Sequence, residues 1–202
     1  MKFRLGDMVD ADHCIALQHE FLRCQDAFDD FEKSATAMIL QGENRLLAYK
    51  AYNAYSRFIH HLYEFLLGAR ARDIGDSAQI RKDEAERYIL AQTQRILTSR
   101  RKAIEDGTAP SWENDISYYP SEVPKEFAKE FREHRNKALA HVTHHRAKLN
   151  LSDFYLKNHK FLHMLYRDCR DWWHLRGQEF PDLKEITEFS VSIAKAHGSQ
   201  PL

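Results

Sequence analysis

Arg135, Asn136 and His141 lie in "EHRNKALAHVTHHRAK", residues 133–148, which holds four basic side chains and four histidines with no acid after Glu133. A guanidinium grips phosphate oxygens, an imidazole moves protons near neutral pH, and an amide can orient either. On a helical wheel, residues 125–149 place Phe127, Ala128, Phe131, Ala138, Leu139, Val142 and Leu149 on one apolar face, with Arg135 in its middle. A guanidinium stays ionised, and burying it alone costs several kcal/mol unless anions or acceptors meet it. Arg135 is therefore either paired inside the protein or set on a cleft that could bind an anion.

A second stripe of the same helix holds His134, Lys137, His141, His144, His145 and Lys148 within about 100° of arc. Donors crowded in this way repel one another and depress histidine pKa values unless an anion is present, which suits phosphate. His134, Lys137, His145 and Lys148 are accordingly candidate RNA- or phosphate-binding residues. His141 borders the apolar face, where partial desolvation holds an imidazole neutral and ready for proton transfer. His144 and His145 read as solvated residues at the negative end of the helix dipole rather than as catalytic groups. On a straight helix Arg135 and His141 point roughly 120° apart. Their convergence needs a bend or end near His141, or a second copy of the chain related by two-fold symmetry.

The elements that would carry these residues are helical. Glycine (7) and proline (5) are scarce among 202 residues, and apolar residues recur at spacings of three and four. The patterning predicts helices over about Asp12–Ile39, Leu46–Leu67 with Gly68 as terminator, and Asp83–Glu105 stopping at Gly107. A long loop, "GTAPSWENDISYYPSEVP", leads to Pro124 as the first residue of a fourth helix over about Lys125–His145. Loops of that length are often functional or mobile. Ser152 is the expected cap of a fifth helix to about Leu175, and "PDLKEITEFSVSIAKA" makes a shorter sixth. The expected architecture is a single all-α domain over residues 1–202, an antiparallel helical bundle with additional peripheral helices.

In the second helix, Leu47, Ala51, Tyr55, Phe58, Ile59 and Leu62 share one face, while Asn53, Ser56, Arg57, His60 and Glu64 gather on the other. Such a polar stripe is ordinarily solvated; otherwise it lines a groove or an interface. Thirty Lys/Arg against thirty Asp/Glu exclude whole-molecule attraction to polyanions, so such binding requires a local patch. No apolar run approaches the roughly 20 residues that span a bilayer, and the start "MKFRLGDMVDADH" lacks a signal-peptide core, so a cytoplasmic protein without membrane contact is expected. Cys14, Cys24 and Cys169 are odd in number and far apart, which suggests neither a disulfide framework nor a zinc site.

At "RNKALAH" the chain resembles the HEPN superfamily, whose signature is an Arg, a following polar residue and, after four to six residues, a His. Arg135, Asn136 and His141 match it with five residues between Arg and His. The likeness covers the motif helix closely and the second to fifth helices in general pattern. It implies a metal-independent endoribonuclease, without cofactor, that works as a homodimer with two motif helices facing across a cleft. By that resemblance His141 is the general base or acid, Arg135 holds the scissile phosphate and stabilises its developing charge, and Asn136 orients the phosphate or the His. The products implied are a 2′,3′-cyclic phosphate and a 5′-hydroxyl, and the biology implied is that of a toxin or phage-defence effector with an antitoxin or regulatory partner. Thr143 stands where the subset controlled by a nucleotidyltransferase antitoxin carries a modified Tyr, so that form of control is not implied. Glu64, His60 and Asn53 on the second helix are candidate supporting partners.

Two other readings stand beside this one. Arg135 could pair with a neighbouring acid in a non-catalytic partner-binding or dimerisation module of the same fold. His141 with His145, His159 with His163, and His60, His61 and Glu64 offer metal-ligand types, but the Glu-x-x-His signature of carboxylate-bridged bundles is missing, so no metal is expected. Trp172 and Trp173 read as core or dimer contacts, whereas Tyr118 and Tyr119 in the long loop are better placed to stack on unpaired bases.

Overall fold

The computed structural model describes residues 1–42, 44–113, 115–137, 149–173 and 183–196, without the Trp172 and Ala196 side chains. The described residues form six α-helices: α1 (Met8–Gln41), α2 (Arg45–Ile74), α3 (Lys82–Glu105), α4 (Phe127–Arg135), α5 (Leu151–Trp173) and α6 (Lys184–Ala196). The fold is all-α, as the patterning predicts.

Local capping chemistry decides the ends. α1 begins four residues ahead of the expected Asp12, because the Asp7 carboxylate accepts the Asp10 N–H at 2.8 Å and so caps the helix itself. Asn44 does the same for α2, accepting from Leu46 N at 2.8 Å and Leu47 N at 3.1 Å. α5 is capped by Asn150, which accepts from Asp153 N at 2.9 Å, and not by Ser152, which falls inside the first turn. Pro124 lies in the turn before α4 rather than at its first position, its carbonyl accepting from Phe127 N at 3.0 Å.

Gly68 does not end α2. The helix runs on to Ile74, and Gly68 serves instead where α1 comes close: a Cβ there would stand 2.6 Å from Leu17 Cδ2. The terminator is Gly75, with φ +63 and its N–H directed at the Ala71 and Arg72 carbonyls. A Cβ on Gly75 would also lie 2.8 Å from the Phe3 carbonyl oxygen. Gly75→Ala is expected to cost about 1–2 kcal/mol from the left-handed backbone alone. Thermal denaturation would register this as a Tm lowered by several degrees.

α1 and α2 form a long antiparallel hairpin packed along its length. Near its open end, Arg72 donates to the buried Asp10 carboxylate at 2.7 and 3.1 Å. That guanidinium, with the Gly6 N–H, holds the Asp10 carboxyl down at about 2. The apolar faces of α1 to α5 meet in one core that includes the fully buried Phe21, Phe58, Phe65, Phe131, Phe154 and Tyr166. Trp173, partly buried, packs against it, edge-on to Phe65 with ring centroids 5.5 Å apart. Cys24 is buried, Cys14 and Cys169 are half-buried, and all three are free.

The loop between α3 and α4 contains two short 3-10 turns, Ser111–Glu113 and Ile116–Tyr118, and it is tied to the bundle. Glu113 accepts from Arg100 of α3 at 2.5 Å and from Arg167 of α5. Arg101 donates to the Tyr119 carbonyl, and Gln94 bonds the backbone of both Ser121 and Val123. Tyr118 remains 56% exposed, edge-on to Tyr119, with the Lys160 ammonium 5.8 Å from its ring centroid. No helix among the described residues is long and apolar enough to cross a membrane.

Candidate functional site

α4 brings Arg135 against α2. Its Nη2 forms an ion pair with Glu64, its Nη1 donates to Asn136 Oδ1 at 2.7 Å, and its guanidinium carbon lies 5.6 Å from the Tyr63 ring centroid. Among the described residues the buried Glu64 Oε1 has this ion pair but no hydrogen-bond partner. The Arg135 Nε–H is likewise buried with no hydrogen-bond partner among the described residues. An arginine on the apolar face of its helix thus satisfies both alternatives raised by the wheel. It is paired with an acid from a neighbouring helix, and it also lines open space.

That space consists of two cavities that share His13, Glu64, Gly68 and Arg135 in their walls. One, of about 510 Å³, adds Tyr63, Arg132 and Asn136. The other, of about 410 Å³, lies over the α1–α2 hairpin and adds Glu20, Arg23, His60 and His61. The polar stripe of α2 is therefore solvated only in part: Arg57 stays exposed, while Ser56 is buried and His60 and Glu64 line the cavity. α2 turns its apolar face to the core and its stripe towards α1, where Arg57 pairs with Asp30 at 2.9 Å and Ser56 is buried.

His61 donates from Nδ1 to Glu20 Oε1 at 2.8 Å, which links α2 to α1. Burial works to raise the Glu20 carboxyl, but the His61 hydrogen bond and the neighbouring His61, Arg23 and His60 outweigh it and hold the carboxyl below its ordinary value. His60 sits edge-on to His61 with centroids 5.2 Å apart, and its buried Nδ1 has no hydrogen-bond partner among the described residues. Burial pulls His60 below the usual histidine range, with the attraction of Glu64 opposing this and the repulsion of His61 and Arg135 adding to it. On the outer rim, Arg23 donates to His19 Nε2 at 3.1 Å. The cavity thus combines two arginines, two carboxylates and several imidazoles, a set able to bind an anion and move protons beside it.

Of the residues expected at the site, the structure brings Arg135, Asn136, Glu64 and His60 together around this space. His134 goes elsewhere: its ring stacks on Phe154 of α5 with centroids 4.0 Å apart, and its Nδ1 lies 2.9 Å from the Glu130 carbonyl oxygen. Successive residues of a helix point about 100° apart, so Arg135 faces α2 while His134 faces α5. Lys137 is exposed, 3.8 Å from Glu133. His141, His145 and Lys148 lie outside the described residues, as do His144 and Thr143. Glu20, Arg23 and His13 were not among the expected residues, and His61 figured only as a metal-ligand type. A trace was present in the first helix, where His13, Ala16, Leu17, Glu20 and Arg23 repeat at three and four.

No group of three or more His, Cys, Asp or Glu side chains arranged for a metal ion occurs among the described residues. His159 and His163 lie in an aromatic cluster: His159 stacks on Tyr155 with centroids 4.5 Å apart and its Nδ1 is 3.1 Å from the Tyr55 hydroxyl, while His163 stacks on Phe28.

Fold and cavity together define an all-α helical bundle with a polar cleft lined by arginine, histidine and glutamate. Comparison with family models, with curated proteins and with solved structures returned no match for the chain.

Proposed function

We propose that this protein is a metal-independent endoribonuclease of the HEPN type, acting as a homodimer. The observation that carries this reading is Arg135: a half-buried guanidinium at the wall shared by two cavities, oriented by Glu64 and Asn136, with one N–H unpaired among the described residues. A planar fork held in this way suits a phosphate whose charge grows in the transition state. His141 is the proton-transfer group at the 2′-hydroxyl, and Asn136 fixes the guanidinium. Beyond Arg135 the regular α-helix gives way to a wider π-type turn at 136–137, a feature that often marks functional sites.

The homodimer is part of the proposal. Its support is apolar surface that one chain leaves uncovered, on α6 at Ile186, Phe189 and Ile193 and at the tip of the α1–α2 hairpin at Ile39 and Leu40. A role as a toxin or phage-defence effector in the cytoplasm, with an antitoxin or regulatory protein as partner, completes the reading.

The test is cleavage of RNA by the purified protein in the presence of EDTA, lost on His141→Ala and on Arg135→Ala. The ion pair with Glu64 favours a second reading, a non-catalytic partner-binding or dimerisation module in which Arg135 is structural. That reading predicts association without cleavage, but it leaves the unpaired Nε–H and the two cavities unexplained.

A further inference from the structure

Transesterification of RNA needs two proton transfers on different sides of phosphorus. A base takes the 2′-hydroxyl proton, and an acid gives one to the departing 5′ oxygen. Arg135 ends the described part of the motif helix, and His141 lies outside the described residues. The remaining walls of the 410 Å³ cavity come from α1 and α2, and the hydrogen-bonded pair His61 and Glu20 is part of them.

We propose that His61, held by Glu20 across the α1–α2 groove, is the general acid that protonates the 5′ leaving oxygen at this site; this rests on the ribonuclease reading above. The carboxylate accepts the Nδ1–H at 2.8 Å, which fixes the ring's orientation and tautomer and leaves Nε2 as the nitrogen for exchange. It also compensates the charge of the imidazolium that an acid must be. Both side chains are mostly covered, 17% exposed for His61 and 21% for Glu20, yet both line the cavity that Arg135 lines. A purely structural pair has no need of that wall. The neighbouring His60 suits the role less well, because burial favours its neutral form and no carboxylate engages its Nδ1. Glu20 acts through His61 and is a positioning residue.

The step balances without a co-reactant. The 2′ oxygen forms its bond to phosphorus as its proton passes to His141, the bond from phosphorus to the 5′ oxygen breaks, and His61 delivers its proton to that oxygen. The products are the cyclic phosphate and a 5′-hydroxyl, and exchange with water restores both imidazoles.

The experiment compares two esters of one nucleoside: a dinucleotide, whose 5′ alkoxide must be protonated as it leaves, and uridine 3′-(4-nitrophenyl phosphate), whose phenolate leaves without an acid. His61→Gln keeps an N–H for Glu20, so the fold is expected to hold, which circular dichroism checks. Dinucleotide cleavage is expected to fall by about 10²–10⁴-fold in His61→Gln. Cleavage of the nitrophenyl ester is expected to stay within a few-fold of wild type. Glu20→Gln is expected to show the same selectivity with a smaller loss, and it supplies a second variant if the first is unstable. Equal losses on both esters, or no loss on either, overturn the acid assignment while leaving the nuclease standing. Wild-type protein inert on RNA and on both esters overturns the nuclease reading and the acid assignment with it.

Discussion

Arg135→Ala is expected to lower EDTA-resistant RNA cleavage by about 10²–10³-fold, the usual loss when one preorganised donor to a developing oxyanion is removed. The guanidinium is positioned before substrate arrives, by Glu64 on one side, by Asn136 at 2.7 Å on the other and by the Tyr63 ring beneath it. Its contribution is therefore one of geometry as well as charge. Arg135→Lys, which keeps the charge but not the planar fork, is expected to recover only a small part of the rate. His141→Ala is expected to cost about 10²–10⁴-fold. These losses would not be disguised unfolding. The Arg135 and Glu64 side chains are 27% and 32% exposed, and ion pairs in such partly wet positions are worth about 1 kcal/mol or less. Melting curves of the variants check that point, and initial rates on a defined RNA check the rest. Full activity in Arg135→Ala and His141→Ala would overturn the assignment of this site, whereas wild-type protein that associates but cleaves no RNA would leave the dimerisation module as the reading that stands.

The second large effect concerns stability and pH. Burial among Tyr55, Tyr155, Phe31 and His163 drops the His159 pKa to about 4, with the charge of His163 adding to the fall. In the unfolded chain an imidazole titrates near about 6.5. The folded-state value is the lower one, so this contribution to stability is complete above about pH 6.5 and is lost as pH falls towards 4. The difference corresponds to roughly 3 kcal/mol between those limits. His159→Phe is expected to remove most of this acid lability, while costing about 1 kcal/mol at neutral pH for the partner lost to the Tyr55 hydroxyl at 3.1 Å. His163 is lowered in the same direction, chiefly by burial, so some slope should persist. Urea denaturation of wild type and variant at pH 7 and pH 4.5 measures the two slopes, and identical slopes would refute the assignment to His159.

Comparison of particular elements shows how far the residues alone lead. The predicted span Asp83–Glu105 meets an observed Lys82–Glu105, because charged helix formers and a glycine stop are local signals. Gly68 misled because glycine serves two ends, terminating a helix or admitting a neighbour, and only the Leu17 contact tells which. His134 and Arg135 are adjacent in sequence and both able to meet an anion, yet one is stacked on Phe154 and the other faces Glu64.

By itself the chain determined an all-α bundle, the exceptional position of Arg135 on an apolar face, and Glu64 as a candidate partner, since helical period and the cost of an unpaired guanidinium are properties of local sequence and elementary electrostatics. Only the tertiary structure decided that part of the polar stripe of α2 faces α1, that Glu20 reaches His61, and that Arg135 looks into a cavity. Those facts depend on how α1 and α2 pack together and on where α4 meets them, which no single helix encodes because it is settled by side-chain packing between segments far apart in the chain.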